Sequence, residues 1–141
     1  MSGAATETEL SAEESAVLAE LTDMYDSFLV QDRTRFDSHL DADVTTWESH
    51  LPRLVTRDEL DAYRDGRAPS AVPQLAELRV DPQRIDVWGD HALARYELIA
   101  VPADGADAET TRVTDVFTRT GASWRIIHHH AELWTPQEGT R

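Results

Sequence analysis

Four long segments rich in β-branched and aromatic residues fill the second half of the chain, and short turn-forming stretches separate them. Such short connections join strands that run in opposite directions, so the last three segments are predicted to be antiparallel neighbours. Pro82 lies inside the first segment, so that strand either begins after Pro82 or lies at a sheet edge. The predicted strands cover residues 75–88, 91–101, 110–119 and 123–134.

The first half of the chain has the pattern of helices. Ser11 and Glu14 form a capping box, and apolar residues then recur at helical spacing from Val17 to Leu29. A second, short helix is predicted over 32–40 and a short strand over 44–48. A further capping box at Thr56 to Glu59 opens a third helix that ends near Gly66.

Three helices followed by a strand meander predict an α+β fold, in which the helices pack on one face of a curved, mostly antiparallel sheet. This arrangement is cone-shaped, and its wide end is a natural pocket for a small molecule. The chain has 141 residues, which is enough for one domain. That domain is predicted over residues 11–134, with a disordered polar lead over 1–10 and a flexible tail over 135–141.

Composition excludes several classes of chemistry. The chain has no cysteine, which excludes disulfides, zinc–thiolate sites and a cysteine nucleophile. All 13 basic residues are arginines, so no lysine can form a Schiff base. The net charge of −14 disfavours nucleic-acid binding. No apolar run approaches the roughly 20 residues of a membrane span, and the first nine residues lack the features of a secretory signal, so a cytoplasmic protein is expected.

Two histidines of the last segment are candidate catalytic residues. Strict alternation along 123–134 places His128 and His130 on one face, together with Trp124 and Ile126. A pair of imidazoles that lines a pocket can move protons near neutral pH. The alternative is one histidine in the core and the other at a dimer contact. A metal would need a third ligand from His50, His91, Glu48 or Asp115, none of which has a diagnostic spacing, so no metal and no cofactor is predicted.

Further polar residues are assigned to substrate binding. Arg112 and Thr114 share one face of the third long strand, and Asp115 lies on the other face with Val113 and Phe117. The planar guanidinium of Arg112 suits a carboxylate or enolate oxygen, although it could instead pair with an acid across the sheet. Tyr25 and Tyr96 either donate hydrogen bonds into the pocket or are aromatic residues of the core. The substrate-binding candidates are Tyr25, Trp47, Tyr96, Arg112 and Thr114.

Three stretches of sequence resemble the NTF2-like superfamily, also called the SnoaL-like, ketosteroid-isomerase-like or cystatin-like fold. They are residues 40–48, residues 87–92, and the Arg-Val-Thr strand at 112–114 followed by Gly-x-x-Trp-x-Ile at 121–126 and three histidines. The third stretch is close to the DUF4440 and SnoaL-3 groups, and it is similar to the association domain of calcium/calmodulin-dependent kinase II. The resemblance covers most of residues 11–134.

The resemblance implies a pocket protein for a small organic molecule, and it places Glu48 where ketosteroid isomerases carry their proton-shuttling carboxylate. A carboxylate in an apolar pocket is expected to have a raised pKa, and Trp47 beside it could supply an apolar wall. The implied activities are cofactor-independent isomerisation, cyclisation or dehydration, with Glu48 as base, His128 or His130 as acid, and Arg112 and Tyr96 on the developing oxyanion. The alternative is a non-catalytic binding or assembly module. Apolar residues on the outer sheet face predict a homodimer.

Overall fold

The computed structural model describes residues 9–135. The element order matches the α+β prediction: two helices, a strand and a third helix precede four long strands, and the five strands form one curved sheet. The helices are α1 (Ala12–Leu29), α2 (Arg33–Asp37) and α3 (Arg57–Gly66), and a 3₁₀ turn covers Pro69–Ala71. The strands are β1 (Leu40–Glu48), β2 (Leu75–Trp88), β3 (His91–Pro102), β4 (Glu109–Thr120) and β5 (Ser123–Trp134).

The capping box predicted at the start of α1 is present. The Ser11 hydroxyl accepts a hydrogen bond from the Glu14 backbone N–H (3.1 Å), and the Glu14 carboxylate accepts one from the Ser11 N–H (2.9 Å). The same reciprocal pair, between Thr56 and Glu59, opens α3. From α1, Val17, Leu21 and other apolar side chains enter the core between this helix and the sheet.

The sheet has the strand order β1-β5-β4-β3-β2, and only the β1–β5 pair is parallel. Pro82 therefore lies in an edge strand, as one of the two predicted alternatives has it, and the β2–β3 register shifts just after it. Gly89 and Gly121 close the predicted hairpins with φ angles of 55° and 63°, a region that favours glycine.

A β-bulge in β5 decides which side chains face the helices. Phe117 is opposite Ile126, but Val116, the preceding residue of β4, is opposite His128, so Ile127 is the extra residue of β5. One extra residue reverses the alternation of side chains beyond it. After Ile126, the buried face therefore continues with His129 and Ala131 instead of His128 and His130.

Some boundaries differ from the prediction. Strand β1 begins at Leu40 rather than at Val44, because residues 40–48 pair alongside β5, and this leaves α2 only five residues long. Nearly all of the lead predicted over 1–10 and of the tail predicted over 135–141 lies outside the described residues. In residues 9–135, no helix combines the length and apolar character that a membrane crossing requires.

Candidate active site in the cavity between helices and sheet

A cavity of about 460 Å³ lies between the three helices and the inner face of the sheet. Its wall is mainly apolar, as expected of a small-molecule pocket. The apolar lining includes Met24, Phe28, Phe36, Leu60, Leu78 and Leu98. The polar groups of the same wall include Glu48 at the end of β1, His129 in β5 and Tyr25 in α1.

A chain of hydrogen bonds runs from the cavity wall into the core. Glu48 Oε2 lies 3.1 Å from Nε2 of His129, and the other ring nitrogen, Nδ1, lies 2.6 Å from Oδ1 of Asp115. Asp115 is completely buried, whereas the Glu48 side chain keeps 30% of its surface exposed. Glu48 is therefore the end of the chain that a ligand in the cavity can reach.

Two tyrosines continue the chain beyond Asp115. The Tyr96 hydroxyl donates to Oδ2 of Asp115 (2.6 Å), so the Tyr25 hydroxyl, 2.7 Å from that of Tyr96, donates to Tyr96. Burial and the negative charge of Asp115 raise the pKa of both tyrosines, which keeps them protonated. Both hydroxyl protons are thus used inside the protein. Neither tyrosine has a free donor for a ligand while this chain is intact, so the prediction that Tyr96 holds an oxyanion is wrong for this geometry.

His129 is held as an imidazolium between the two carboxylates. Burial by itself would lower its pKa, but the charge and hydrogen bond of Asp115, followed by those of Glu48, raise the pKa of His129 to about 10. Both ring nitrogens then carry protons, and each proton is donated to a carboxylate.

The pKa of Glu48 moves in the direction opposite to the expectation. Burial would raise it, as predicted for a carboxylate in an apolar pocket, but the hydrogen bond and charge of His129 outweigh burial. The charges of His50 and Arg67 act in the same direction, and the pKa of Glu48 lies below its ordinary value. Glu48 is therefore ionised at neutral pH and ready to accept a proton.

The prediction that His128 and His130 face the cavity is wrong, and the bulge at Ile127 is the reason. His128 lies on the outer side of the sheet, where its Nδ1 is 2.7 Å from the Thr45 hydroxyl. His130 is exposed on the same side and stacks on Trp47, with the ring centroids 5.6 Å apart. Because Trp47 is 50% exposed there, it does not form an apolar wall beside Glu48.

Arg112 and Thr114 also lie on the outer face, so the structure separates them from Glu48. They line a shallower groove of about 390 Å³ together with His130 and Glu132. The guanidinium of Arg112 stacks 4.5 Å above the ring of Trp134. Of the predicted site residues, the structure brings together Glu48, Tyr25 and Tyr96. The inner cavity is the candidate site because, unlike the outer groove, its wall includes Glu48 and His129 of the hydrogen-bonded chain. The similar group of Glu20, His39 and Asp23 lines neither the cavity nor the groove.

His129 is the functional residue that strict alternation missed. Two signals in the sequence point to it. Ile126 and Ile127 are consecutive apolar residues, which is typical of a break in alternation, and strict alternation would also place His128, His130 and Glu132 together on the buried face. With one extra residue at Ile127, that face instead receives one histidine, opposite Asp115, followed by Ala131.

The family model of the SnoaL-like domain matches residues 17–133 of the protein. This range runs from α1 to β5 and includes all five residues of the hydrogen-bonded chain from Glu48 to Tyr25. The chain belongs to the SnoaL-like family. No curated protein matches this SnoaL-like chain. Among residues 9–135, no three acidic or histidine side chains form a group that could hold a metal ion.

Solved structures show the same fold at low sequence identity. The hub of calcium/calmodulin-dependent kinase II from S. rosetta is 20% identical, with a TM-score of 0.71 over 89% of the SnoaL-like chain and 100% of the hub. A protein from Nostoc punctiforme with a cystatin-like fold is 17% identical (TM-score 0.73, 92% and 82% covered). A protein from Parabacteroides distasonis, provisionally named a ketosteroid isomerase, is 18% identical (TM-score 0.67, 82% and 86% covered).

Proposed function

We propose that the protein is a cofactor-independent acid–base enzyme that acts on a small, largely apolar organic molecule. One observation carries this proposal. Glu48 presents an ionised carboxylate to an apolar cavity, and behind it the His129 imidazolium is fixed by the buried Asp115. An ionised, oriented carboxylate that a ligand can reach is what a general base requires.

The proposed reaction is proton transfer at a carbon next to a carbonyl group. Glu48 removes the proton: the C–H bond breaks, its electron pair moves toward the carbonyl oxygen as an enolate forms, and an O–H bond forms on Glu48. The proton on Glu48 exchanges with solvent, and Glu48 then returns a proton to carbon as its O–H bond breaks. In a simple ketone it returns to the same carbon, which exchanges the hydrogen there. In a β,γ-unsaturated ketone it returns to the γ-carbon, which gives the α,β-unsaturated isomer. If the carbon next to the enolate carries a hydroxyl group, the protonated Glu48 gives its proton to that hydroxyl. The C–O bond then breaks, water leaves, and the enolate electron pair forms a C=C bond, which gives a dehydrated product.

His129 acts as a positioning residue in this scheme. Its imidazolium donates to Oε2 of Glu48 and leaves the other carboxylate oxygen, Oε1, 3.4 Å from Nδ1 of His50, near the exposed part of the site. Its charge also keeps Glu48 ionised at neutral pH. The base is weak for this reason, so the enolate oxygen needs its own electrostatic stabilisation.

The test is deuterium incorporation from D₂O, followed by NMR, into a panel of cyclic enones, aryl ketones and aryl-substituted keto acids. The wild-type protein is expected to catalyse exchange next to the carbonyl group of at least one compound. The variant Glu132→Gln, which removes a carboxylate from the outer face, serves as the matched control and keeps this activity. Exchange that is absent for the whole panel, or that is equally fast in Glu48→Gln, would contradict the proposal.

A second candidate function is assembly, which we infer from the outer face of the sheet. Trp47 and Trp134 lie there 50% and 38% exposed, next to the shallow groove that contains Arg112 and His130. Large exposed aromatic side chains on one face are typical of a contact between subunits. The similarity to a kinase hub fits this interpretation, since the hub shares the fold.

We expect a homodimer in which this face is buried. Light scattering after size exclusion at micromolar concentration should give twice the chain mass of 15.8 kDa. The variant Trp47→Arg should shift the protein toward the monomer, because it places a charge inside the contact. A wild-type monomer, or a dimer that Trp47→Arg leaves unchanged, would exclude this interface.

A further inference from the structure

One arginine of the cavity wall, Arg67, has no carboxylate partner among residues 9–135. The other two arginines of the wall are ion-paired: Nη1 of Arg33 is 2.6 Å from Asp65, and Nη1 of Arg64 is 2.8 Å from Asp37. The guanidinium of Arg67 instead lies over the ring of Tyr63, 5.7 Å from its centroid.

Most arginines in residues 9–135 are ion-paired. The chain has 27 acidic residues against 13 arginines, so carboxylates are available almost everywhere. Within the part of the chain that the structure describes, Arg112 and Arg125 also lack an ion pair, but neither lines the cavity. Arg67 is thus the cavity-wall arginine whose guanidinium has no ion-pair partner in residues 9–135; Arg64 is ion-paired and has only its buried Nε without a hydrogen-bond partner.

Local structure holds Arg67 in place. It directly follows α3, and its backbone N–H donates to the carbonyl of Arg64, whose side chain is ion-paired with Asp37 at the end of α2. The ring of Tyr63 contacts the guanidinium of Arg67 and also the ring of His50. The ring centroids of Tyr63 and His50 are 5.5 Å apart. A guanidinium fixed by an aromatic ring loses less conformational entropy when it binds a ligand.

A polar group of a ligand in the cavity needs a hydrogen-bond donor from the protein. Tyr25 and Tyr96 cannot supply it, because their hydroxyl protons are donated within the buried hydrogen-bonded chain. We propose that the cavity binds an apolar molecule bearing one carboxylate, and that Arg67 binds this carboxylate through paired N–H donors. The apolar body would lie along the wall that includes Phe28 and Phe36. This inference rests on the proposed function, since it assumes that the cavity is the ligand site.

Binding at Arg67 would also change the base. Arg67 and Glu48 form no ion pair, yet the charge of Arg67 helps to lower the pKa of Glu48. A bound carboxylate offsets that positive charge, so the pKa of Glu48 rises when the ligand is present. Glu48 would thus become a stronger base only with its substrate in the cavity, and the substrate itself would drive this change.

The test compares the binding of 2-naphthylacetate and of the neutral 2-(2-naphthyl)ethanol by titration calorimetry. The wild-type protein is expected to bind the acid at least about tenfold more tightly than the alcohol, the effect of one charge-assisted pair. Arg67→Gln should remove this preference and leave the affinity for the alcohol unchanged. Arg125→Gln, which makes the same change of charge outside the cavity, should behave like the wild type.

The outcomes separate the two proposals. Equal affinities for acid and alcohol in the wild type, or equal effects of Arg67→Gln and Arg125→Gln, would overturn the role of Arg67 and leave the cavity as a ligand site. If the wild type binds neither compound, the assignment of the cavity as the ligand site, on which the proposed function depends, is overturned as well. Arg67→Lys, which keeps the charge but loses the planar fork, should retain part of the preference.

Discussion

The variant His129→Gln should lose about 3–5 kcal/mol of unfolding free energy, which is the usual effect of removing one partner from a buried ion pair. Asp115 is completely buried, and the His129 imidazolium is the cation that touches it. Without His129, Asp115 keeps only the hydrogen bond from Tyr96. Chemical denaturation at pH 7, monitored by tryptophan fluorescence, measures the loss.

Two further variants make this result specific. His130→Gln should cost less than about 1 kcal/mol, because His130 is exposed on the outer face. The double variant His129→Gln with Asp115→Asn should be more stable than His129→Gln alone, since no unpaired charge remains buried. Equal losses for His129→Gln and His130→Gln, or a double variant that is less stable than His129→Gln alone, would contradict a buried ion pair.

The same ion pair makes stability depend on pH. The pKa of His129 rises from 6.5 to about 10 on folding, so the folded state binds the proton more tightly than the unfolded state. The stabilisation from this proton is complete below pH 6.5 and is lost as the pH rises through about 10. The unfolding free energy of the wild type should therefore fall across this window, and that of His129→Gln should lack this part of the fall.

The variant Glu48→Gln should reduce deuterium exchange by about a thousandfold, within the range that general bases contribute. The amide has nearly the same shape as the carboxylate, so the cavity is preserved, but it cannot accept the proton. The rate constant at saturation should fall while the KM changes little, because the loss concerns the transition state. Glu48→Asp, which keeps the carboxylate but withdraws it, should retain partial activity.

The pH profile of this activity follows from the pKa values of Glu48 and His129, which both differ from their ordinary values. The pKa of Glu48 lies below 4.5, so the base is ionised over the whole neutral range. Activity should stay level up to about pH 9. It should then decline as His129 loses its proton near pH 10, because a neutral imidazole has only one N–H and no longer positions Glu48 against Asp115. A bell-shaped profile centred near pH 6.5 would instead indicate an ordinary histidine as the catalytic group, and would remove Glu48 and His129 from these roles.

Most of the fold could be predicted from the sequence because the signals are local. Capping boxes at Ser11 and Thr56 mark where two helices begin, and Gly89 and Gly121 mark two of the hairpins. The weaker prediction was the region around Leu40, where β1 begins four residues early. Its parallel pairing with β5 is a contact between distant parts of the chain, which no local pattern reports.

The site was predicted less well because it depends on a single residue of register. Glu48 lies on the cavity wall as predicted, and Asp115 shares a face with Val113 and Phe117 as predicted. That face is the inner one, so Arg112 and Thr114, which were assigned to the pocket, lie on the outer face. The extra residue at Ile127 then places His129 opposite Asp115, and alternation counted without a bulge selects the two neighbouring histidines. The buried carboxylate of Asp115 needs a cationic partner from a neighbouring strand. Which of the three histidines is that partner depends on the register between β4 and β5, and a local sequence pattern does not report this register.

The protonation state of His129 is most directly measured by NMR on protein labelled with ¹⁵N in the histidine rings, with His129 assigned by its absence from the His129→Gln spectrum. At pH 8, both ring nitrogens of His129 should carry protons, and the ring should titrate only near pH 10. His128 should be neutral at pH 8, because burial and the neighbouring imidazoles lower its pKa. A His129 ring that titrates near pH 6.5, or a protonated His128 in its place, would contradict the carboxylate–histidine–carboxylate chain.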